Sequence, residues 1–130
     1  EIDSALSFAV SGNNYEIAKE LIDHRANAKL IENRETPIME SCKKSNVEMI
    51  KLLLDAGANP NVSDYSKQNC LMLFLDFGKV EKSAEILKLL IPKMDNLEEK
   101  DVDNETCLMK ARKRNNKIAE ELLIKAGSKE

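Results

Sequence analysis

The residues that could perform nucleophilic or metal chemistry are few and far apart. His24 is the sole histidine of the 130-residue chain, and it follows Asp23. The three cysteines, Cys42, Cys70 and Cys107, lie elsewhere in the sequence. A catalytic Cys–His pair needs both side chains within hydrogen-bonding reach, and a zinc site needs closely spaced ligands. The spacing favours an exposed His24 and packed cysteines, so we expect no enzymatic activity, no cofactor and no metal.

A basic run near the C-terminal end of the chain is the second group with possible chemistry. It consists of five cations: Lys110, Arg112, Lys113, Arg114 and Lys117. Such a run could attract nucleic acid or an acidic protein. However, no aromatic residue is interleaved with it, Glu120 and Glu121 follow it, and a strongly acidic link over 95–105 precedes it. We therefore favour a solvated helix face that this link neutralises, and we keep nucleic-acid binding as an alternative.

The composition of the chain indicates which partners and which cellular location to expect. The net charge is −3 and aromatic residues make up 4% of the chain, which predicts no general attraction to nucleic acid or to an anionic membrane. The longest apolar run, 70–75, is far shorter than the roughly 20 residues of a membrane span. An odd number of cysteines without framework spacing favours reduced thiols and a cytoplasmic, intracellular location. The first residues do not resemble a signal peptide.

The stretch 36–61 shows which elements position these residues. Thr36 can cap a helix with its hydroxyl, and Pro37 suits a first helical position. Gly57 can end a second helix, and Pro60 prevents it from resuming. Apolar residues follow helical spacing between these signals: Val47, Met49, Ile50, Leu53 and Leu54. Two helices this short cannot bury their own apolar faces, so the unit must stack on copies of itself.

Copies of this pattern recur along the chain. The segment 4–10 matches the one that begins at Thr36, 32 residues later, while Thr106 lies 70 residues after Thr36. Gly127 likewise lies 70 residues after Gly57, and two independent anchors seldom agree by chance. We expect one domain with four repeats, at approximately 1–31, 32–63, 64–100 and 101–130.

The opening Thr36-Pro37-Ile38-Met39 and the turn Gly57-Ala58-Asn59-Pro60-Asn61 resemble the ankyrin repeat. That family opens its repeats with Thr-Pro-Leu-His-x-Ala and ends them in Gly-Ala-Asp-x-Asn. The resemblance implies an all-α solenoid of stacked helix–turn–helix units. It also implies a non-catalytic module that binds another protein. We expect a monomer without a membrane partner, and we regard nucleic acid as a less favoured partner. One alternative is a regulatory or targeting segment of a larger enzyme or signalling protein, and another is a nucleic-acid binder through the basic run, 110–117.

Carried over position by position, the resemblance also names partner-binding residues. The tips of the links between repeats are Glu32, Asn33, Glu35, Tyr65, Ser66, Gln68, Val102, Asp103 and Glu105. The concave face of the first helices carries Lys43, Lys44, Asp76, Phe77, Lys113 and Arg114. Exposed aromatic residues are favoured hot spots, which makes Tyr65 and Phe77 the main candidates. Phe77 could instead pack under an insertion in the third repeat.

The third repeat departs most from the family pattern. Its second helix is offset by four extra residues, which we place within 77–84. Bulky Phe74 and Leu75 stand where the pattern has small residues, so we expect a widened helix gap or a rotated helix. The fourth repeat is more polar, with Arg112 and Glu120 on its helices. We interpret it as a true C-terminal end, and the first repeat as truncated at its N-terminus.

Two family features are replaced throughout. Ser7, Met39, Met72 and Met109 fill the position of the family's histidine, where thioether packing must substitute for hydrogen bonds. The turn glycine is replaced by Arg34, Lys67 and Asn104. Of these residue types, asparagine alone adopts a positive φ readily, so Asn104 is the one replacement that suits the turn.

Overall fold

The chain folds into stacked helix pairs. A computed structural model describes residues 1–31 and 34–129, and within them it contains eight α-helices and no strand. The helices are α1 (Ile2–Ser11), α2 (Tyr15–Asp23), α3 (Pro37–Lys44), α4 (Val47–Asp55), α5 (Cys70–Phe77), α6 (Ser83–Leu90), α7 (Cys107–Lys113) and α8 (Lys117–Lys125). No helix of the described part is long and apolar enough to cross a membrane. The predicted all-α class is confirmed.

Each helix packs on the equivalent helix of the next pair. The odd-numbered helices α1, α3, α5 and α7 form one row, and the even-numbered helices form the other. Buried apolar side chains run continuously through all four pairs as one core. This stacking is the solenoid that the repeats predict, because each short pair gains its core from its neighbours.

Side-chain caps begin several of the helices, but the one cap that the sequence predicted is absent. Side chains of Asn14, Asn69, Thr106 and Asn116 accept a hydrogen bond from the third amide of their helices. Thr36 has the extended backbone of a cap but makes no capping hydrogen bond. Its buried hydroxyl has no hydrogen-bond partner among the described residues. The prediction that this hydroxyl caps α3 is therefore wrong.

The three positions that lack the turn glycine adopt the left-handed conformation nonetheless. The φ angles are 59° at Arg34, 60° at Lys67 and 63° at Asn104. A left-handed conformation costs a residue with a Cβ about 1–2 kcal/mol. Carboxylates help to hold two of these turns, because Asp64 and Asp101 each accept two backbone amides of their own tip at 2.9–3.0 Å. Asp64 thus helps to hold a positive φ at Lys67, and Arg34 adopts the same conformation.

The third pair is widened, as expected from its bulky residues. Phe74 and Leu75 are both 1% exposed, and α5 and α6 pack against each other much less closely than the helices of the other pairs. A 3₁₀ turn over Val80–Lys82 fills the connection between them. The predicted insertion within 77–84 therefore forms an ordered bridge that carries α6 away from α5.

Candidate partner-binding surface

The link tips form a row along one edge of the stack. Tyr65 is 74% exposed, and the guanidinium carbon of Arg34 lies 5.9 Å from the centroid of its ring. The carbonyl of Ser66 accepts a hydrogen bond from the amide of Val102 at 3.0 Å, which joins neighbouring tips. We call Arg34, Tyr65 and Val102 the tip strip. It offers a cation, an aromatic ring and an aliphatic side chain to solvent.

Some of the other predicted tip residues are partly buried and contact residues of this chain. The side-chain amide of Gln68 donates to Asp76 at 2.6 Å, and both residues are partly buried. Glu105 is also partly buried, whereas Glu35 and Asp103 are exposed. Two further tip predictions, Glu32 and Asn33, lie outside the described residues.

Cations on the concave face are paired with nearby acceptors. Lys43 lies 3.3 Å from Glu35, and Lys113 lies 2.9 Å from Glu105. Lys44 donates to the backbone carbonyl of Ser11 at 2.6 Å, which ties the second pair to the first. These charges are largely compensated within the protein, and such exposed pairs contribute at most about 1 kcal/mol each.

Phe77 is exposed at a position predicted to lie on the concave face. It is the last residue of α5, and 62% of its surface is exposed. The alternative in which it packs under the insertion is therefore wrong. With Tyr65, it provides an exposed aromatic residue at each of two predicted binding positions.

Arg114 holds the insertion in place rather than projecting freely. Its guanidinium donates to the carbonyls of Leu75 and Gly78, both at 2.8 Å. From the other side, the amide of Lys79 donates to the hydroxyl of Ser45 at 2.7 Å. The insertion of the third pair is thus clamped by the second and fourth pairs.

Lys110 is buried, so the prediction that the basic run forms a solvated helix face is wrong for this residue. It is 1% exposed, and its ammonium lies 2.6 Å from Asp76 and 2.6 Å from Asp101. Glu105 lies 3.6 Å away. A signal for this burial exists, because Lys110 aligns with Leu73 of the third pair, a position that faces a neighbouring pair.

The pKa values of this cluster follow from its geometry. Burial alone raises the pKa of Asp101, but hydrogen bonds from Lys110 and from backbone amides bring it below the usual value. Burial alone lowers the pKa of Lys110, but hydrogen bonds to Asp101 and Asp76 bring it above the usual value. Both groups are therefore charged at neutral pH, and their pairing stabilises the folded state.

The remaining cations of the basic run are compensated as well. Arg112 lies 2.7 Å from Glu120, and Lys117 lies 3.7 Å from the same carboxylate. Glu120 follows the run, whereas Lys110 and Lys113 contact Asp101 and Glu105 of the preceding acidic link. These last contacts confirm the expectation that the link neutralises part of the run. Oxygens of Asp101, Asp103 and Glu105 also converge within 4.8 Å, but the ammonium of Lys110 already supplies a cation there.

The thiols and the histidine show no arrangement for catalysis among the described residues. The ring nitrogen Nδ1 of His24 is 2.9 Å from the carbonyl of Glu20, on an exposed helix end. Cys42 and Cys70 are 0% exposed and Cys107 is 2% exposed, which confirms their predicted burial. Burial and the adjacent Cys70 raise the pKa of Cys42, and burial raises the pKa of Cys107 to about 12.

We expect all three thiols to resist alkylation in the native protein, because a buried neutral thiol is a poor nucleophile. Labelling with a bulky maleimide should proceed only as fast as the protein opens, and fully in urea. Mass spectrometry of the labelled protein measures this directly. Rapid native labelling of any of the three cysteines would contradict their place in the core.

The sequence of this chain is similar to those of known proteins. A family model described as ankyrin repeats (3 copies) matches residues 1–64. An ankyrin repeat protein of Acanthamoeba polyphaga mimivirus is 36% identical over 72 residues, which cover 54% of this chain and 44% of that protein. A second from the same virus is 34% identical over 80 residues, covering 60% and 10%. One from Fowlpox virus (strain NVSL) is 38% identical over 61 residues, covering 47% and 14%.

The chain spans less than half the length of each of these relatives. Ankyrin repeats are generally non-catalytic and serve as protein-interaction modules. The match over residues 1–64 and the helix pairs that continue it in the same stack lead to one conclusion: the fold of this chain is an ankyrin repeat stack.

Proposed function

We propose that the protein binds a partner protein, without turnover, through its concave face and link tips. The observation that carries this proposal is the exposure of Tyr65 and Phe77, at 74% and 62%, on a surface whose charged groups mostly pair with each other. Exposed aromatic residues supply large contact areas at low entropic cost, and they are enriched among hot spots. The partner is thus expected to be a protein segment with apolar side chains.

Nucleic-acid binding is disfavoured by the same contacts. A polyanion is held by cations that can release counterions. Lys110 is buried among carboxylates, and Lys113 and Arg112 each pair with a glutamate. The guanidinium of Arg114 donates hydrogen bonds to backbone carbonyls. Within the described residues, the basic run therefore offers little unpaired positive charge.

The setting of the module is part of the proposal. We propose a monomer in the reducing cytoplasm, since three thiols lie buried and reduced in the core. We also keep the proposed repeat boundaries at 1–31, 32–63, 64–100 and 101–130. Because the relatives are longer than this chain, the module could also serve as a regulatory or targeting segment of a larger enzyme or signalling protein. A catalytic domain in the full-length polypeptide would distinguish that alternative.

We expect Tyr65→Ala and Phe77→Ala each to weaken partner binding at least tenfold, since truncating a hot-spot residue costs about 2 kcal/mol or more. The helical circular dichroism signal should persist, because both side chains are exposed. The partner is first captured from an extract of the source cells, and each variant is then titrated against it.

The controls are Lys51→Ala and Glu85→Ala, two exposed residues of the second helices, outside the predicted surface. They should leave affinity unchanged within about twofold, as surface substitutions away from an interface usually do. Loss of binding in these controls, with retention in the aromatic variants, would place the interface elsewhere on the protein.

A further inference from the structure

One position of the first helices faces the preceding pair. Leu73 and Lys110 occupy it in the third and fourth pairs, and both are 1% exposed. Lys110 reaches back from α7 to Asp76 of α5, which shows the direction. Phe8 occupies the same position in the first pair and is 79% exposed. A large aromatic residue therefore lies in solvent where the equivalents in the third and fourth pairs lie in an interface and where Glu40 of the second pair is partly buried.

A position on the second helices repeats this observation independently. Met49, Ile86 and Ala119 occupy it in the later pairs, and each is 0% exposed. Ala119 is buried although no described helix pair follows α8, so its cover comes from the preceding pair. Ile17 occupies this position in α2 and is 52% exposed. We call Phe8 and Ile17 the N-terminal face.

The opposite end of the stack is built differently. Cys42 and Leu75 are buried under a following pair, whereas the equivalent residue of the last pair is the exposed Arg112. Ile50 is likewise buried, and its equivalent is Glu120. Arg112 and Glu120 pair at 2.7 Å across this face. At both positions the last pair carries a charged residue where the inner pairs carry an apolar one. Met109 of the last pair is apolar and half-exposed.

We propose that the N-terminal face is an interface for a further ankyrin-type helix pair, which lies before residue 1 in the full-length polypeptide. That pair continues the interface already present between the described pairs and covers Phe8 and Ile17. A second copy of this chain fits less well, because its free end presents the Arg112–Glu120 ion pair to an apolar face. The greater length of the viral relatives leaves room for such a pair.

The test compares the 130-residue chain with a longer one that includes the upstream coding region for about 35 residues, one ankyrin period. Urea unfolding is followed by circular dichroism in both chains. Phe8→Ser should leave the shorter chain's folding constant within about twofold, as expected for an exposed site. In the longer chain it should lower that constant at least about tenfold, because a buried aromatic residue is truncated.

Ile118→Ser is the matched control. Ile118 is 47% exposed, close to the value for Ile17, but it aligns with Glu48, which is exposed on α4. Ile118→Ser should leave the folding constant of both the shorter and the longer chain unchanged. A neutral Phe8→Ser in the longer chain would overturn the proposal, and so would an upstream segment that adds no helical signal.

Discussion

Replacing Lys110 with methionine is expected to lower the free energy of unfolding by about 3–5 kcal/mol, the usual cost of removing one partner from a buried ion pair. Asp101 is 6% exposed and would be left without the cation that lies 2.6 Å away. Methionine matches the length of the lysine stem, so the loss reflects charge more than volume. Urea unfolding at pH 7, followed by circular dichroism, measures the difference.

Lys113→Met is the control for this prediction. Its side chain is 65% exposed although it also pairs with Glu105, so the change should cost less than about 1 kcal/mol. The pH dependence of the free energy of unfolding gives a second test of the pair formed by Lys110 and Asp101. The depressed pKa of Asp101 contributes stability above its usual value of 3.8, and this contribution disappears as the pH falls through the folded-state value.

At alkaline pH, the free energy of unfolding is expected to fall as the pH rises, the opposite of its behaviour at acidic pH. Since the pKa of Lys110 is raised, its contribution is full below the usual 10.5 and disappears as the pH rises through the folded-state value. The Lys110→Met variant should therefore show a flatter profile at both ends. Equal losses for Lys110→Met and Lys113→Met would mean that the buried cluster has no special role.

Replacing Gly78 with alanine is expected to destabilise the protein by about 1–3 kcal/mol, the cost of forcing extra volume into a packed core. A Cβ at this position would clash with Cδ1 of Phe74 and would lie 2.8 Å from the Phe74 carbonyl oxygen. Phe74 is 1% exposed and has little room to move. The cost is steric, because the backbone of Gly78 is extended, with φ −79° and ψ 175°. Thermal unfolding of the variant measures the loss.

Gly12→Ala is the matched control, since its Cβ would meet a backbone oxygen at 3.4 Å and its φ is −85°. This change should be nearly neutral. Combining Gly78→Ala with Phe74→Leu should cost less than the sum of the two single changes, because the smaller side chain relieves the clash. Strict additivity would show that the ring of Phe74 is not the obstacle.

The stacked architecture was predictable because it depends on local signals that recur. Pro37 and Gly57 mark helix ends, and apolar residues at helical spacing lie between them. The turns at Arg34 and Lys67 were located correctly as the family's glycine positions, yet their residue types gave no reason to expect a positive φ. At Lys67 the carboxylate of Asp64 helps to hold that backbone, and this contribution is not visible in the type of the residue at the turn.

The candidate surface was predictable only as a set of positions. Gln68 and Arg114 were assigned to partner binding by their place in the repeat, but the structure uses their donors for Asp76 and for the insertion. Lys110 was hidden for a related reason, since its partner Asp76 lies 34 residues away in sequence. Aligning Lys110 with the buried Leu73 points to burial, but the same position holds the exposed Phe8 in the first pair. The partner itself is not encoded in any repeat position.

The central claim, that the concave face and tips bind a partner protein, is tested most directly by photo-cross-linking. A photoreactive side chain is placed at Tyr65 or Phe77, and for comparison at Lys51 or Glu85, in otherwise identical protein incubated with an extract of the source cells. We predict one discrete adduct shared by positions 65 and 77 and absent from 51 and 85. An adduct formed from positions 51 and 85 but not from 65 and 77 would contradict the claim.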